Sequence, residues 1–435
     1  MSKGIVAIVG SPNVGKSTLF NRIIGQRSAI VDDQAGITRD RLYGRANWLT
    51  KDFTLIDTGG IEIRNAPFQK QIRAQVEIAM EEADVILYVA DGKIGVTEDD
   101  RFACKMLYKS HKPVILAVNK IDNAEQLPQL SEFYALGIGE PTAISSSHGI
   151  GIGDLLDRII ATLPDRKQKE YNDAICFSLI GRPNVGKSSL TNAILNQDRV
   201  IVSDIEGTTR DSIDTPFKRD DQNYVVIDTA GLKKRGKIFE AVDRYAALRA
   251  LSSVSRSDVV LLVLDASEGI LAQDKHIVGY AMEENKAIVI VVNKWDLIEH
   301  GEKSMQEFAK KIRAEFKFLD YAPIVFVSAK DKTRIQTIFP EIVQAYRSYH
   351  FRAGTSLLND IVSEAQILNP TPVFNGGRLK IYFASQVDVC PPTFVLSVNN
   401  ADYMHFSYRR FLENRLRESF EFTGSPIKIV CRNRK

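Results

Sequence analysis

The sequence predicts an α/β architecture: two tandem copies of a mostly parallel sheet with helices on both faces, then a smaller C-terminal α/β unit. Three observations predict it. The chain repeats itself, because Gly10-Ser-Pro-Asn-Val-Gly-Lys-Ser17 recurs as Gly181-Arg-Pro-Asn-Val-Gly-Lys-Ser188, offset by 171 and differing at one position. Gly36-Ile-Thr-Arg-Asp40 and Asp57-Thr-Gly-Gly60 recur at that offset as Gly207-Thr-Thr-Arg-Asp211 and Asp228-Thr-Ala-Gly231. Asn119-Lys-Ile-Asp122 recurs as Asn293-Lys-Trp-Asp296, now offset by 174. So long a period is a duplicated domain, not a solenoid. Second, short apolar runs alternate with helical patterns inside each copy, as in sheets whose parallel strands are joined by helices. Third, the period fails from about Tyr349 onward.

The elements follow in order. In the first copy, 1–164, the apolar run Ile5–Val9 leads into a glycine turn, as a buried parallel strand does. Ser17–Ile24 reads as a helix, Phe53–Ile56 as a strand, and Phe68–Glu82 as a helix. Val85–Ala90, Asp99–Lys109 and Val114–Val118 continue the alternation. Polar residues Asp165–Asp173 form a linker. The second copy, 174–348, places strands at Ile175–Ile180, Tyr224–Ile227, Val259–Leu264 and Ala287–Val292. In 349–435, Thr355 is placed to cap a helix carrying Leu357, Leu358, Ile361, Val362 and Ala365. Strands at Leu379–Ala384 and Thr393–Val398, a helix near Tyr408–Phe420 and a strand at Ile427–Val430 complete that unit.

Composition excludes several classes. At 435 residues, 44% apolar and 26% charged, the chain is globular and too long for one core. Cys104, Cys176, Cys390 and Cys431 are scattered without a CxxC pair, so neither a disulfide partner nor a zinc site is expected. No apolar stretch approaches the roughly 18 residues of a membrane span, and the N-terminus lacks the layout of a signal peptide. A cytoplasmic monomer is the expectation. The 57 Lys+Arg nearly balance 54 Asp+Glu, but residues 350–435 hold 11 against 7. Arg409, Arg410, Arg415, Arg417, Lys428, Arg432, Arg434 and Lys435 concentrate that excess and suggest contact with RNA phosphates.

The repeated blocks carry the chemistry. GxxxxGK[ST] between strand and helix is a phosphate loop, comprising Gly10, Ser11, Pro12, Asn13, Val14, Gly15, Lys16 and Ser17, with Gly181, Arg182, Pro183, Asn184, Val185, Gly186, Lys187 and Ser188 as its copy. Its N–H groups converge on phosphate at the positive end of a helix. Lys16 and Lys187 would bridge β- and γ-phosphates, and Ser17 and Ser188 would give a hydroxyl to Mg²⁺. Asp57 and Asp228 would hold the same ion through water, with Thr38 and Thr209 as candidate further ligands. In the nucleotide-binding blocks Asp57, Thr58, Gly59 and Gly60, and Asp228, Thr229, Ala230 and Gly231, followed by Ile61 and Leu232, the N–H of Gly60 or Gly231 would meet the γ-phosphate.

Asn119, Lys120, Ile121 and Asp122, with Asn293, Lys294, Trp295 and Asp296, select the base. Guanine presents N1–H and N2–H₂ together, which one carboxylate can accept. Adenine lacks that pair, a difference worth on the order of 3 kcal/mol. Ser145 and Ser146, and Ser328, Ala329 and Lys330 in the second copy, would complete the base pocket. GTP or GDP at two sites is the reading.

With these motifs the chain resembles the translation-factor-like class of GTPases. The tandem copies and basic C-terminal unit resemble the Der (EngA) family of bacterial ribosome-assembly GTPases. The resemblance implies GTP hydrolysis, a KH-like third domain, and action on the large ribosomal subunit, its RNA and proteins. The glutamine that orients water in Ras-like enzymes is replaced here by Ile61 and Leu232. Related enzymes with an apolar residue there can use a monovalent cation, which implies K⁺ near Asn13 and Asn184 as a catalytic aid to Lys16, Lys187, Thr38 and Thr209. The glycines of 350–435 are Gly354, Gly376, Gly377 and Gly424, so the GxxG loop with which KH domains clamp RNA is missing. An alternative is a nucleotide-sensing scaffold on RNA or the ribosome, in which one copy is mainly regulatory.

Overall fold

A computed structural model of the chain describes residues 4–25, 43–49, 51–58, 72–73, 75–77, 79–80, 83–164, 174–196, 201–202, 214–227, 253–298 and 302–434. It forms two compact units, one built on the first repeat and one on the second repeat with the C-terminal region. The linker 165–173 lies outside the described residues, as does part of the helix expected at Phe68–Glu82.

In the first unit, β1 (Gly4–Val9), β2 (Tyr43–Trp48), β3 (Lys51–Asp57), β4 (Val85–Asp91), β5 (Val114–Asn119) and β6 (Pro141–Ala143) make a six-stranded sheet ordered β2-β3-β1-β4-β5-β6. All pairings are parallel except β2 with β3. The chain goes from β1 outward to β3 on one side, then returns to β4 on the other. The C-terminal end of β1 is therefore a topological switch point, where open α/β sheets place ligands. Val6, Ile8, Leu87, Val89 and Ala117 fill one core, and Ala7, Val9, Ile86, Tyr88 and Leu116 fill the opposite one. Sheets buried on both faces need such apolar strands. Cutting the fully buried Leu87 back to alanine would cost about 2–5 kcal/mol.

The second unit repeats the plan with β7 (Ala174–Ile180), β8 (Ile201–Val202), β9 (Thr215–Arg219), β10 (Gln222–Val226), β11 (Val259–Asp265), β12 (Ala287–Asn293) and β13 (Ile324–Phe326). The order is β13-β12-β11-β7-β10-β9-β8, parallel from β13 through β10 and antiparallel at β9 and β8. The antiparallel strands β2 and β9 are not in the sequence reading. Their residues, YGRANW and TPFKR, are polar and lack the apolar run that marks a central strand.

The C-terminal region adds the hairpin β14 (Val373–Phe374) and β15 (Gly377–Arg378) and a three-stranded sheet, β16 (Ile381–Asp388), β17 (Thr393–Val398) and β18 (Lys428–Asn433). Strand β17 pairs antiparallel with β16 and parallel with β18. Helices Thr355–Leu368 and Phe406–Ser419 bury Leu358, Ile361, Val362, Ala365, Tyr408, Leu412 and Leu416 against Phe394, Leu396 and Val398. Thr355 is not the cap. Gly354 has the extended dihedrals a cap needs (φ −67°, ψ 132°), and Thr355 is already helical.

The sheet with its two helices is docked on the second repeat. Ile288 N–H donates to Gly424 O at 2.7 Å, and Gly424 N–H to Tyr321 O at 2.8 Å. The Arg417 guanidinium lies 4.4 Å from the Tyr321 ring and donates to Phe422 O and Ser425 O at 3.0 Å each. Two cations expected on an RNA-facing surface are thus used internally. Arg417 holds this joint, and Arg415 pairs with Glu418 at 2.7 Å and Glu364 at 3.5 Å. Arg410, Lys428, Arg432 and Arg434 are exposed. All four cysteines are free thiols. No helix among the described residues is long and apolar enough to cross a membrane.

Candidate functional site

Each phosphate loop leaves the C-terminal end of the central strand, β1 or β7, and enters the helix Lys16–Gly25 or Lys187–Leu195. The turn requires left-handed backbone, with φ 64° at Asn13, 66° at Asn184, 95° at Gly15 and 96° at Gly186. Asparagine is among the few side chains that tolerate it. At Gly15 and Gly186 there is also no room, because a Cβ would fall 2.3 Å from Asn119 Nδ2 or Asn293 Nδ2. Val14 and Val185 are buried beneath the loops, while Asn13 and Asn184 are exposed and Pro12 and Pro183 half-buried.

Lys16 Nζ donates to Gly10 O and Ser11 O, and Lys187 Nζ to Gly181 O and Arg182 O, all at 2.7 Å. Burial lowers both amines to about 8, with Asp57 opposing the shift at Lys16. Ser11 and Arg182, where the repeated octapeptides differ, share an anchor. Ser11 Oγ donates to Asp100 Oδ1 at 3.2 Å, and Arg182 Nε to Asp274 Oδ1 at 2.9 Å. Asp100 and Asp274 are buried in the first turns of equivalent helices, Glu98–Tyr108 and Ala272–Glu283.

Ser17 Oγ donates to Asp57 Oδ2 at 2.7 Å, so two of the expected metal ligands meet. A hydroxyl and a carboxylate beside a phosphate loop are hard oxygen donors that suit Mg²⁺. Ser188 occupies the matching start of its helix. Thr58 turns inward and donates to Ile8 O. Thr38, Gly59, Gly60, Ile61, Thr209, Asp228, Thr229, Ala230, Gly231 and Leu232 lie outside the described residues.

On the base side, Asn119 ends β5 and Asn293 ends β12, and each carboxamide joins three motifs. Asn119 Nδ2 donates to Val14 O at 2.7 Å, and its Oδ1 accepts from Ser146 N–H and Oγ at 2.9 Å. Asn293 Nδ2 donates to Val185 O at 2.9 Å, and its Oδ1 accepts from Ala329 N–H at 3.0 Å. Lys120 and Lys294, with φ of 70° and 60°, pair at 2.5 Å with Asp91 and Asp265. Those aspartates end β4 and β11 and were missed in the sequence. Their offset of 174, shared with the Asn-Lys-x-Asp block, is the signal that marks them. Burial would raise the Asp265 carboxyl, but bonds from Lys294 and Ser267 outweigh it and lower it.

Ile121 and Trp295 turn into the cores, Trp295 packing 4.5 Å from the Phe326 ring, so their side chains support the loop from below. The carboxylates beside them differ. Asp122 Oδ1 accepts from Ser145 Oγ and its Oδ2 from Lys93 Nζ, each at 2.8 Å. Lys93 first, then Ser145, lower its carboxyl below the usual range. Asp296 Oδ1 is buried without a hydrogen-bond partner among the described residues. An acceptor left in that state costs about 1–3 kcal/mol. Ser145 and Ser328 start the closing turns, bridging to Ile150 and Thr333, and Lys330 is exposed.

Residues 5–120 and 176–294 match a family model described as "50S ribosome-binding GTPase". Residues 352–432 match "KH-domain-like of EngA bacterial GTPase enzymes, C-terminal". GTPase Der of Staphylococcus carnosus is 57% identical over 435 residues, covering 100% of both chains. GTPase Der of Bacillus cytotoxicus is also 57% identical over 435 residues, with the same coverage. A crystal structure of an Era variant from Aquifex aeolicus bound to GDP and AlF4− is 25% identical, covering 57% of this chain and 88% of that one, with a TM-score of 0.32.

Proposed function

The chain belongs to the GTPase Der family and hydrolyses GTP, and from that premise we propose that it carries two guanine-nucleotide sites and acts as a nucleotide-gated factor in maturation of the large ribosomal subunit. One observation carries the two-site reading: the same asparagine clamp, Asn119 or Asn293, ties each phosphate loop to its base-side turn. A site lacking either half would not need that tie.

In this reading Lys16 and Lys187 each direct two of three N–H donors to loop carbonyls. The third is available to a phosphate oxygen. The amine thereby stabilises charge developing on the transferred group, together with the loop N–H groups. Asp122 and Asp296 accept the guanine donors, and the ion-paired Lys120 and Lys294 hold their stems beside the base. Ser17 and Asp57, and Ser188 in the second copy, would hold Mg²⁺, which when bound neutralises charge on the phosphates. The amide oxygens of the exposed Asn13 and Asn184 suit a monovalent cation, supporting a K⁺-stimulated reaction. The ribosomal role is supported by the family description and by the exposed Arg410, Lys428, Arg432 and Arg434.

Two measurements test it. Turnover should be faster in KCl than in NaCl, and equal rates would remove K⁺ from the mechanism. Co-sedimentation with large subunits should differ between GDP and a non-hydrolysable GTP analogue, and identical binding would remove the gating.

A further inference from the structure

We propose that Lys93 competes with guanine for Asp122, making it an affinity-determining residue that sets the first site apart from the second. The inference rests on reading Asp122 and Asp296 as the guanine acceptors. Lys93 lies two residues beyond the strand-end Asp91, and its N–H donates to Asp91 Oδ1 at 2.9 Å. So anchored, its Nζ reaches Asp122 Oδ2 at 2.8 Å. An ammonium there presents N–H groups where the N–H groups of the base must point. Donor meets donor, and the ammonium also offsets the carboxylate charge that would strengthen bonds to the base.

Among the described residues the second site lacks this competitor. The residue two beyond Asp265 is Ser267, whose Oγ turns back to Asp265 Oδ1 at 2.6 Å. His148 Nε2 lies 3.9 Å from Asp122 Oδ1, and the residue at its position in the second copy is Asp331. Among the described residues the buried Asp296 Oδ1 has no hydrogen-bond partner.

The Lys93 side chain is 52% exposed, so the pair is screened and its competition is modest. Removing it should tighten GDP about two- to fivefold. The test uses the full chain carrying Asp296→Asn, which removes guanine recognition from the second site, with GDP titrated before and after adding Lys93→Met. Lys93→Met should bind GDP tighter by that factor, and Lys93→Arg should bind it unchanged. The gain should shrink for IDP, whose base lacks the exocyclic amine and needs one carboxylate oxygen. It should shrink also as KCl screens the ion pair. Equal or weaker GDP binding by Lys93→Met would overturn the proposal. Asp122→Asn in the same background separates the two levels: if it leaves GDP binding intact, the acceptor reading itself fails.

Discussion

Among single residues, the two loop lysines make the sharpest pH prediction. In the folded chain each amine is lowered to about 8 by burial. An ordinary lysine titrates near 10.4, so between those values the unfolded state binds more protons, and the nucleotide-free chain gains stability as pH rises. Phosphate demands the charged form, so binding above pH 8 must take up protons. Calorimetry of GDP binding at pH 8.5, in buffers of different ionisation enthalpy, should show proton uptake and weaker affinity than at pH 7. Binding without proton uptake would mean that Lys16 and Lys187 already carry their charge. The sequence identifies both lysines by their motif. It does not reveal Asp91 and Asp265, because a lone aspartate at a strand end resembles any other until the lysine that reaches it is placed.

For whole elements, legibility followed burial. Strands β1, β4, β5, β7, β11 and β12 are apolar on both faces, so a bare hydrophobic run marks them. The antiparallel strands β2 and β9 are rich in polar residues and paired through backbone, which leaves little trace in side-chain pattern. The phosphate loops are legible for a different reason: glycine and asparagine stand where φ must be positive. The crowding of Gly15 and Gly186 against Asn119 and Asn293 is legible only in three dimensions. Gly15→Ala and Gly186→Ala should each cost about 1–3 kcal/mol of backbone strain. Each should also abolish nucleotide binding at its own site while sparing the other. Urea unfolding and GDP titration measure the two effects, and an alanine tolerated without loss of either would contradict the close approach.

For the whole molecule, the duplication was visible as a repeat, whereas the docking of the C-terminal region was not. Arg417 lies in a basic stretch and reads as a surface cation, yet its guanidinium joins Tyr321 to the backbone of 422–425. Charge counting cannot separate such an internal arginine from Arg410 or Arg432. The central claim is that both copies are complete guanine sites, and GDP stoichiometry tests it most directly. Equilibrium binding should give two GDP per chain, one after Asp122→Asn or Asp296→Asn, and none after both. A single GDP on the unsubstituted chain, or loss of both when one aspartate is changed, would contradict it.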